Sequence, residues 1–240
     1  MADSNLDNLP LVGGYTLENL EIKTHSGNSI FIVGRFEEIN IYESMISSVI
    51  FGDILVKEIY NFVSFGPILG GEELTFECSN IPGEGRPTTK RKSKFVIYKI
   101  ENKTYTDDKV GSYLIRFCSK EAIFNQQIRI CSTIYKKTPT KIANDIYFAF
   151  WEEVNREWNS RLSNMSDFER LRATKDDPFK FPRIGNDEDE QKISIHFPNL
   201  HPFECLHQLA GRACLKPGSK FDHGNPFFFF EQFDNRYVFM

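Results

Sequence analysis

Near its end the chain carries six side chains of the kind that bind zinc: His196, His201, Cys205, His207, Cys214 and His223. Structural zinc sites set two ligands two to four residues apart, twice over. Here His201 and Cys205 share one helix face and no second close pair follows, so the spacing argues against a metal site. Cys205 and His201 could also meet as nucleophile and base at i,i+4, but that chemistry needs a thiolate and an oxyanion site. Cys205 falls near the packed side of its helix. No Gly-x-Ser-x-Gly, His-Glu-x-x-His or Walker pattern occurs. The adjacent carboxylates Glu37-Glu38 and Glu72-Glu73 point to opposite faces of a strand and cannot work as an acid–base pair. The run Lys90-Arg91-Lys92-Ser93-Lys94 could touch phosphates; it reads better as a solvated guard on a sheet edge. Catalytic residues, metal ligands and cofactors are therefore all expected to be absent.

The elements that hold these residues belong to a chain of 240 residues, with a net charge of 29 − 33 = −4. The content is 40% hydrophobic and 26% charged, which excludes intrinsic disorder and disfavours a basic nucleic-acid scaffold. No apolar run reaches the ~18–20 residues of a transmembrane helix. The opening Met1-Ala2-Asp3-Ser4-Asn5 lacks the regions of a secretory signal. The five widely spaced cysteines are accordingly expected to be reduced. Twenty-three phenylalanines demand extensive packing, in a core or against partner subunits.

Residues 1–14 read as a polar arm. From Tyr15 to Ser119 the pattern is one of short strands. Leu20–Thr24 alternates into the turn His25-Ser26-Gly27-Asn28, and Ile30–Val33, Ile39–Tyr42, Val49–Lys57, Leu74–Cys78, Phe95–Ile100 and Tyr113–Cys118 follow. This predicts an antiparallel barrel over 15–119. After it the period changes. Ser119 predicts an N-cap for a short helix, and Thr138-Pro139 opens an amphipathic helix through Trp158 on Ile142, Ile146, Phe150 and Val154. Residues 159–190 form a polar, acidic excursion, partly helical at 167–175. A strand at Ile193–Phe197, a helix from His201-Pro202, and a hairpin from Phe227–Glu231 to Tyr237–Phe239 complete a smaller α+β domain over 120–240. The chain stops at Met240 inside a strand pattern, so the natural chain is expected to continue.

Two strands are apolar on both faces. In Phe95–Ile100, Phe95 and Ile97 oppose Val96, Tyr98 and Ile100. In Tyr113–Cys118, Tyr113, Ile115 and Phe117 oppose Leu114 and Cys118. A half-buried strand shows one wet face, so something is expected to cover the second.

Three stretches resemble the central baseplate hub proteins of contractile-tailed, T-even-type bacteriophages. They are Ile39–Ser44 with Val49–Ile54 and Gly70–Leu74; Phe95–Ile100 with Tyr113–Phe117 and Ser119–Ala122; and Phe197–Phe203 with Leu206, Leu209–Ala213 and Phe227–Glu231. The resemblance implies a tail-tube-like barrel, no catalysis, and a homotrimer whose barrels form a ring. It also implies a central spike on one side and tube, tube-initiator and tape-measure proteins on the other. The expected place is the virion baseplate after synthesis in the host cytoplasm, away from any membrane, with DNA only in transit. Ile41, Tyr42, Val96, Tyr98, Ile100 and Leu114 are then the expected subunit-interface residues. A zinc- or thiol-dependent enzyme and a nucleic-acid-binding module are the rival readings.

Overall fold

The alternation Leu20, Ile22 in the first strand and Phe95, Ile97 in the sixth sends one set of apolar side chains to a common interior, where all four are buried. The structure, a computed structural model, describes residues 15–58, 68–80, 90–107, 110–150, 181–184, 191–214, 227–233 and 236–239. Two compact units emerge: Met1–Ile41 with Gly52–Cys118, and Tyr42–Phe51 with Ser119–Met240. The second unit thus takes in a ten-residue piece from inside the strand-rich half, which a single cut after residue 119 does not contain.

The first unit is built on β1 (Tyr15–Lys23), β2 (Ser29–Phe31), β3 (Phe36–Tyr42), β4 (Phe51–Glu58), β5 (Glu73–Asn80), β6 (Lys90–Asp107) and β7 (Val110–Ser119). They lie in one sheet in the order β2-β1-β5-β6-β7-β4-β3. The β1–β2 hairpin turns as expected at His25–Asn28: Thr24 N–H donates to Asn28 O, and Gly27 sits at φ +84°.

β2 and β3 are neighbours in the chain yet stand at opposite edges of the sheet. Strands lie about 4.8 Å apart, so seven laid flat would separate the edges by about 29 Å. The five Cα steps from Phe31 to Phe36 span at most about 18 Å. A flat sheet is impossible, and the sheet curls into a half-barrel. The connector itself crosses the seam. Ile32 N–H donates to Leu20 O of β1, and Lys57 N–H of β4 donates to Arg35 O, both at 3.0 Å. The expected antiparallel barrel takes the form of this curled half-barrel; β2 has only three residues, and a turn with Gly34 at φ +79° leads from it to β3.

Inside the curl, Phe95 and Phe117 stand with ring centroids 4.9 Å apart, above Ile54, Leu74 and Ile115. Gly52 makes this packing possible. A Cβ at that position would overlap the Phe117 ring and come 2.5 Å from the Asn40 carbonyl oxygen.

The second unit contains α1 (Lys120–Gln127), β8 (Ile130–Lys137), the helix α2 described over 139–150, β9 (Phe181–Ile184), β10 (Ile193–Leu200), α3 (Pro202–Ala210), β11 (Phe229–Gln232) and β12 (Arg236–Phe239). β8 pairs with β10, and β12 lies between β11 and β9. Ile142, Ile146 and Phe150 of α2 meet Phe197, Phe203, Leu206 and Leu209 in one core. Phe203 lies 5.2 Å from Phe150 and 5.4 Å from Phe229, and Phe229 stacks on Tyr237. Among the described residues eight phenylalanines are buried: Phe95, Phe117, Phe150, Phe197, Phe203, Phe229, Phe230 and Phe239. Of the two expected uses for the phenylalanines, a core or partner subunits, internal packing accounts for these eight.

Three local expectations change. Ser119 precedes α1 but makes no side-chain cap; its hydroxyl goes elsewhere. Within the polar excursion, Phe181–Ile184 is a strand in parallel register with β12. Pro182 disguised it in the sequence, but proline is tolerated on an edge strand such as β9. β8, which no pattern announced, pairs with β10. The expected helix at 167–175, residues 151–158 of the amphipathic helix, the turn Asp234-Asn235 and the arm 1–14 lie outside the described residues.

We predict that Gly52→Ala destabilises the fold by about 1–3 kcal/mol, the usual cost of overpacking. A urea titration followed by tryptophan fluorescence or circular dichroism measures it; an unchanged midpoint would show that the Phe117 ring moves aside freely.

Candidate assembly surface

The outer face of β6 has two halves. At one end the register sets Lys92 opposite Glu77 and Lys94 opposite Thr75. Lys90 pairs with Glu18 at 2.8 Å, Lys92 with Glu77 at 2.7 Å and Lys94 with Glu73 at 3.2 Å. Hydrogen bonds from Lys90 and then Ser79 hold the Glu18 carboxyl below its ordinary range. The basic run is thus not at a sheet edge, because β6 lies between β5 and β7. Lys90, Lys92 and Lys94 each pair with a carboxylate, on β1 for Glu18 and on the adjacent β5 for Glu77 and Glu73.

The other half is apolar. Beyond Lys94 on the same face come Val96, Tyr98 and Ile100, and the neighbouring strand β7 carries Leu114. Val96, Ile100 and Leu114 are half-buried and Tyr98 is 45% exposed. Arg116 borders this patch and donates from Nε to Glu101 at 2.8 Å, while Lys99 pairs with the same carboxylate. Lys99, and after it Arg116, hold the Glu101 carboxyl below its ordinary value. Of the six expected interface residues, Val96, Tyr98 and Ile100 lie on one face of β6 and Leu114 lies on the neighbouring β7. Ile41 and Tyr42 are consecutive and leave opposite faces of the edge strand β3. Ile41 is half-buried in the first unit, and Tyr42 is exposed in the second.

Sequence reasoning placed Ile39–Tyr42 and Val49–Lys57 on strands but missed that the chain from Tyr42 to Phe51 belongs to the second unit. This segment exposes Tyr42, Met45, Ile46 and Phe51, with Ile46 81% accessible. Between them Val49 and Ile50 are buried. The segment is tied down by polar contacts inside the second unit. Glu231, itself buried, accepts the Ile50 N–H at 2.9 Å and the Ser119 hydroxyl at 2.5 Å. This is where the expected helix cap of Ser119 goes. Ser119 N–H donates to Ile50 O at 3.0 Å. Ser48 Oγ meets His207 Nε2 at 2.5 Å, and Phe233 N–H donates to Glu43 at 3.2 Å. The signal available in the sequence was Met45-Ile46, an apolar pair between serines that no strand period absorbs.

The chemistry-bearing residues do not converge. His196 Nδ1 pairs with Thr133 Oγ1 at 2.8 Å and His201 Nδ1 with the Ile128 carbonyl at 3.0 Å. His207 stands edge-on to Phe229, and burial lowers its pKa. Cys214 is exposed, and its thiol donates to Gln191. His223 lies outside the described residues. Among the described residues no three His, Cys, Asp or Glu side chains come together as metal ligands. Burial, and then the Glu204 carboxylate, pushes the Cys205 thiol up to about 12, so at neutral pH it is protonated and not a nucleophile. Glu204 instead accepts the His201 backbone N–H at 2.8 Å, and Asn125 Oδ1 accepts the Phe203 N–H at 2.9 Å, so both serve the start of α3. Among the described residues no helix is long and apolar enough to cross a membrane.

No family model matches the sequence, and no curated protein does. Solved structures do match. The 43 kDa tail protein of prophage MuSo2 from Shewanella oneidensis superposes with TM-score 0.52 at 14% identity, over 93% of this chain and 54% of that one. The tail protein from Neisseria meningitidis MC58 gives TM-score 0.49 at 12% identity, over 94% and 50%. A chain of the lidded Francisella PdpA–VgrG complex gives 0.44 at 12%, over 94% and 28%. The chain therefore spans about half the length of the two tail proteins, and it shares the fold of the MuSo2 tail protein.

Two outcomes follow for the titratable groups. Ellman's reagent should label only Cys131 and Cys214 in the native chain at pH 8 and all five cysteines after denaturation, because Cys78, Cys118 and Cys205 are buried; fast labelling of Cys205 would reopen the thiol-enzyme reading. His207 has a lowered folded-state pKa, so the folded chain binds fewer protons than the unfolded one. Its contribution to stability is present above the ordinary histidine pKa of about 6.5 and is lost as pH falls below it. The urea midpoint should fall between pH 7.5 and 5.5, and fall less in His207→Gln.

Proposed function

We propose that this chain is a structural component of a phage-type contractile tail, the hub that joins the tail tube to the central spike. Its β-rich unit assembles with sister copies into a trimeric ring. The observation that carries this reading is the fold shared with the MuSo2 tail protein over 93% of the chain. The three stretches that resemble baseplate hubs supply the choice of hub among tail components.

On this reading Val96, Tyr98, Ile100 and Leu114 meet a neighbouring copy, with Ile41 and Tyr42 contributing at the end of β3. A central apolar patch with a tyrosine and a bordering arginine is the composition of interface hot spots. Spike, tube or tube-initiator and tape-measure proteins occupy the two ends of the ring, and DNA passes through the lumen without being gripped. The chain performs no catalysis, takes no cofactor, and resides in the virion after synthesis in the host cytoplasm. The protonated Cys205 and the neutralised lysine row both fit a scaffold better than an enzyme or a nucleic-acid binder.

Purified chain should elute as a trimer by light scattering, and averaged electron micrographs should show an annulus. Tyr98→Asp and Leu114→Asp should each weaken assembly by at least tenfold, about 1.4 kcal/mol or more, with the melting profile retained. A chain that stays monomeric at high concentration, with its partners supplied, sinks the proposal.

A further inference from the structure

We propose that the segment Tyr42–Phe51 is the donor half of a head-to-tail contact between copies, and that its receptor is the outer patch of β6 and β7 on the next copy. The inference rests on the ring-forming reading above and adds the identity of the two surfaces.

Four large apolar side chains within ten residues are exposed by 41–81%. At about 200 Å² for a large side chain, they offer roughly 450 Å² of apolar surface. A standard interface buries about 800 Å² per partner, somewhat more than half of it apolar. This one segment therefore supplies about the apolar content that one side of a stable contact needs. Summed, this is comparable to the largest apolar patch of about 300–600 Å² on a typical monomer.

The segment is also held in shape. Glu231 fixes Ile50, His207 meets Ser48, the Phe233 N–H reaches Glu43, and Val49 sits in the core. Its backbone is ordered before any partner arrives, which lowers the entropic cost of docking.

The occupant that matches is a second copy of this chain. The outer patch offers Val96, Tyr98 and Ile100, with Leu114 on the neighbouring strand, as an apolar receptor. Charge agrees as well. The donor segment carries a single charged side chain, Glu43, while the patch is bordered by Lys99 and Arg116 against Glu101, a net of +1. The two surfaces differ from each other, so their pairing is heterologous, and heterologous contacts close into rings when the rotation allows. A self-complementary pairing of the segment with itself would give two-fold dimers instead.

A photoreactive benzoylphenylalanine at position 46, which is 81% exposed and tolerant of substitution, tests this in the whole chain. Irradiated trimer should yield an intermolecular cross-link to a peptide containing 95–100 or 113–117, and Ile46→Asp should raise the concentration for half-assembly at least tenfold with an unchanged circular dichroism melt. Cross-links from 46 to the 42–51 peptide of another copy, or to no other copy, overturn the inference, as does a trimer that forms equally well with Ile46→Asp; the ring reading survives each of these. A wild-type chain that never assembles overturns both at once.

Discussion

Everything in the β-rich unit follows from a connector too short for a flat sheet. The chain leaves β2 at Phe31 and enters β3 at Phe36, yet these strands are the two edges of seven. Curling is the only geometry that satisfies both facts, and it divides the sheet's side chains into an inner and an outer set. The inner set is filled by Leu20, Ile22, Ile54, Leu74, Phe95, Ile97, Ile115 and Phe117, all buried. The tightest point is where Phe117 passes Gly52. The outer set is what remains for other molecules.

That outer face is not uniform, and the difference is electrostatic. Lys90, Lys92 and Lys94 pair with carboxylates across the strands, but solvent screening leaves such surface ion pairs with little net stabilisation. Their main effect is on register and solubility: a one-residue slip would turn the lysines inward. Where the charges stop, Val96, Tyr98, Ile100 and Leu114 begin. Apolar area is worth about 25 cal/mol per Å² when removed from water. The second half of the same face is the apolar part of it, with Tyr98 exposed and Val96, Ile100 and Leu114 half-buried.

The second unit solves a different problem, that of burying polar groups. Glu231 lies inside an aromatic-rich core with its carboxylate satisfied by the Ile50 N–H and the Ser119 hydroxyl. A buried carboxylate without such donors would cost several kcal/mol. The same economy governs Asn125 and Glu204, which satisfy backbone donors at the start of α3. Cys205 and His207 are drawn into this packing, and burial moves each toward its neutral form. The residues that looked most like chemistry are therefore employed in holding a loop and a helix.

Much of the architecture was legible in local pattern. Period-two alternation located β1, β4, β5, β6 and β7, the i,i+4 spacing of Ile142, Ile146 and Phe150 located α2, and His201-Pro202 marked the start of α3, because these signals depend only on near neighbours in the chain. What they cannot encode is which distant residue stands opposite. That the lysine run lies inside the sheet, that Phe181–Ile184 joins β12, that Ser119 turns to Glu231, and that Tyr42–Phe51 leaves its own strands to dock beside His207 and Phe233 were all decided by tertiary pairing. Each depends on contacts between residues tens to nearly two hundred positions apart, whose energies come from satisfying buried polar groups and filling volume, and neither quantity has a period that a sequence can display.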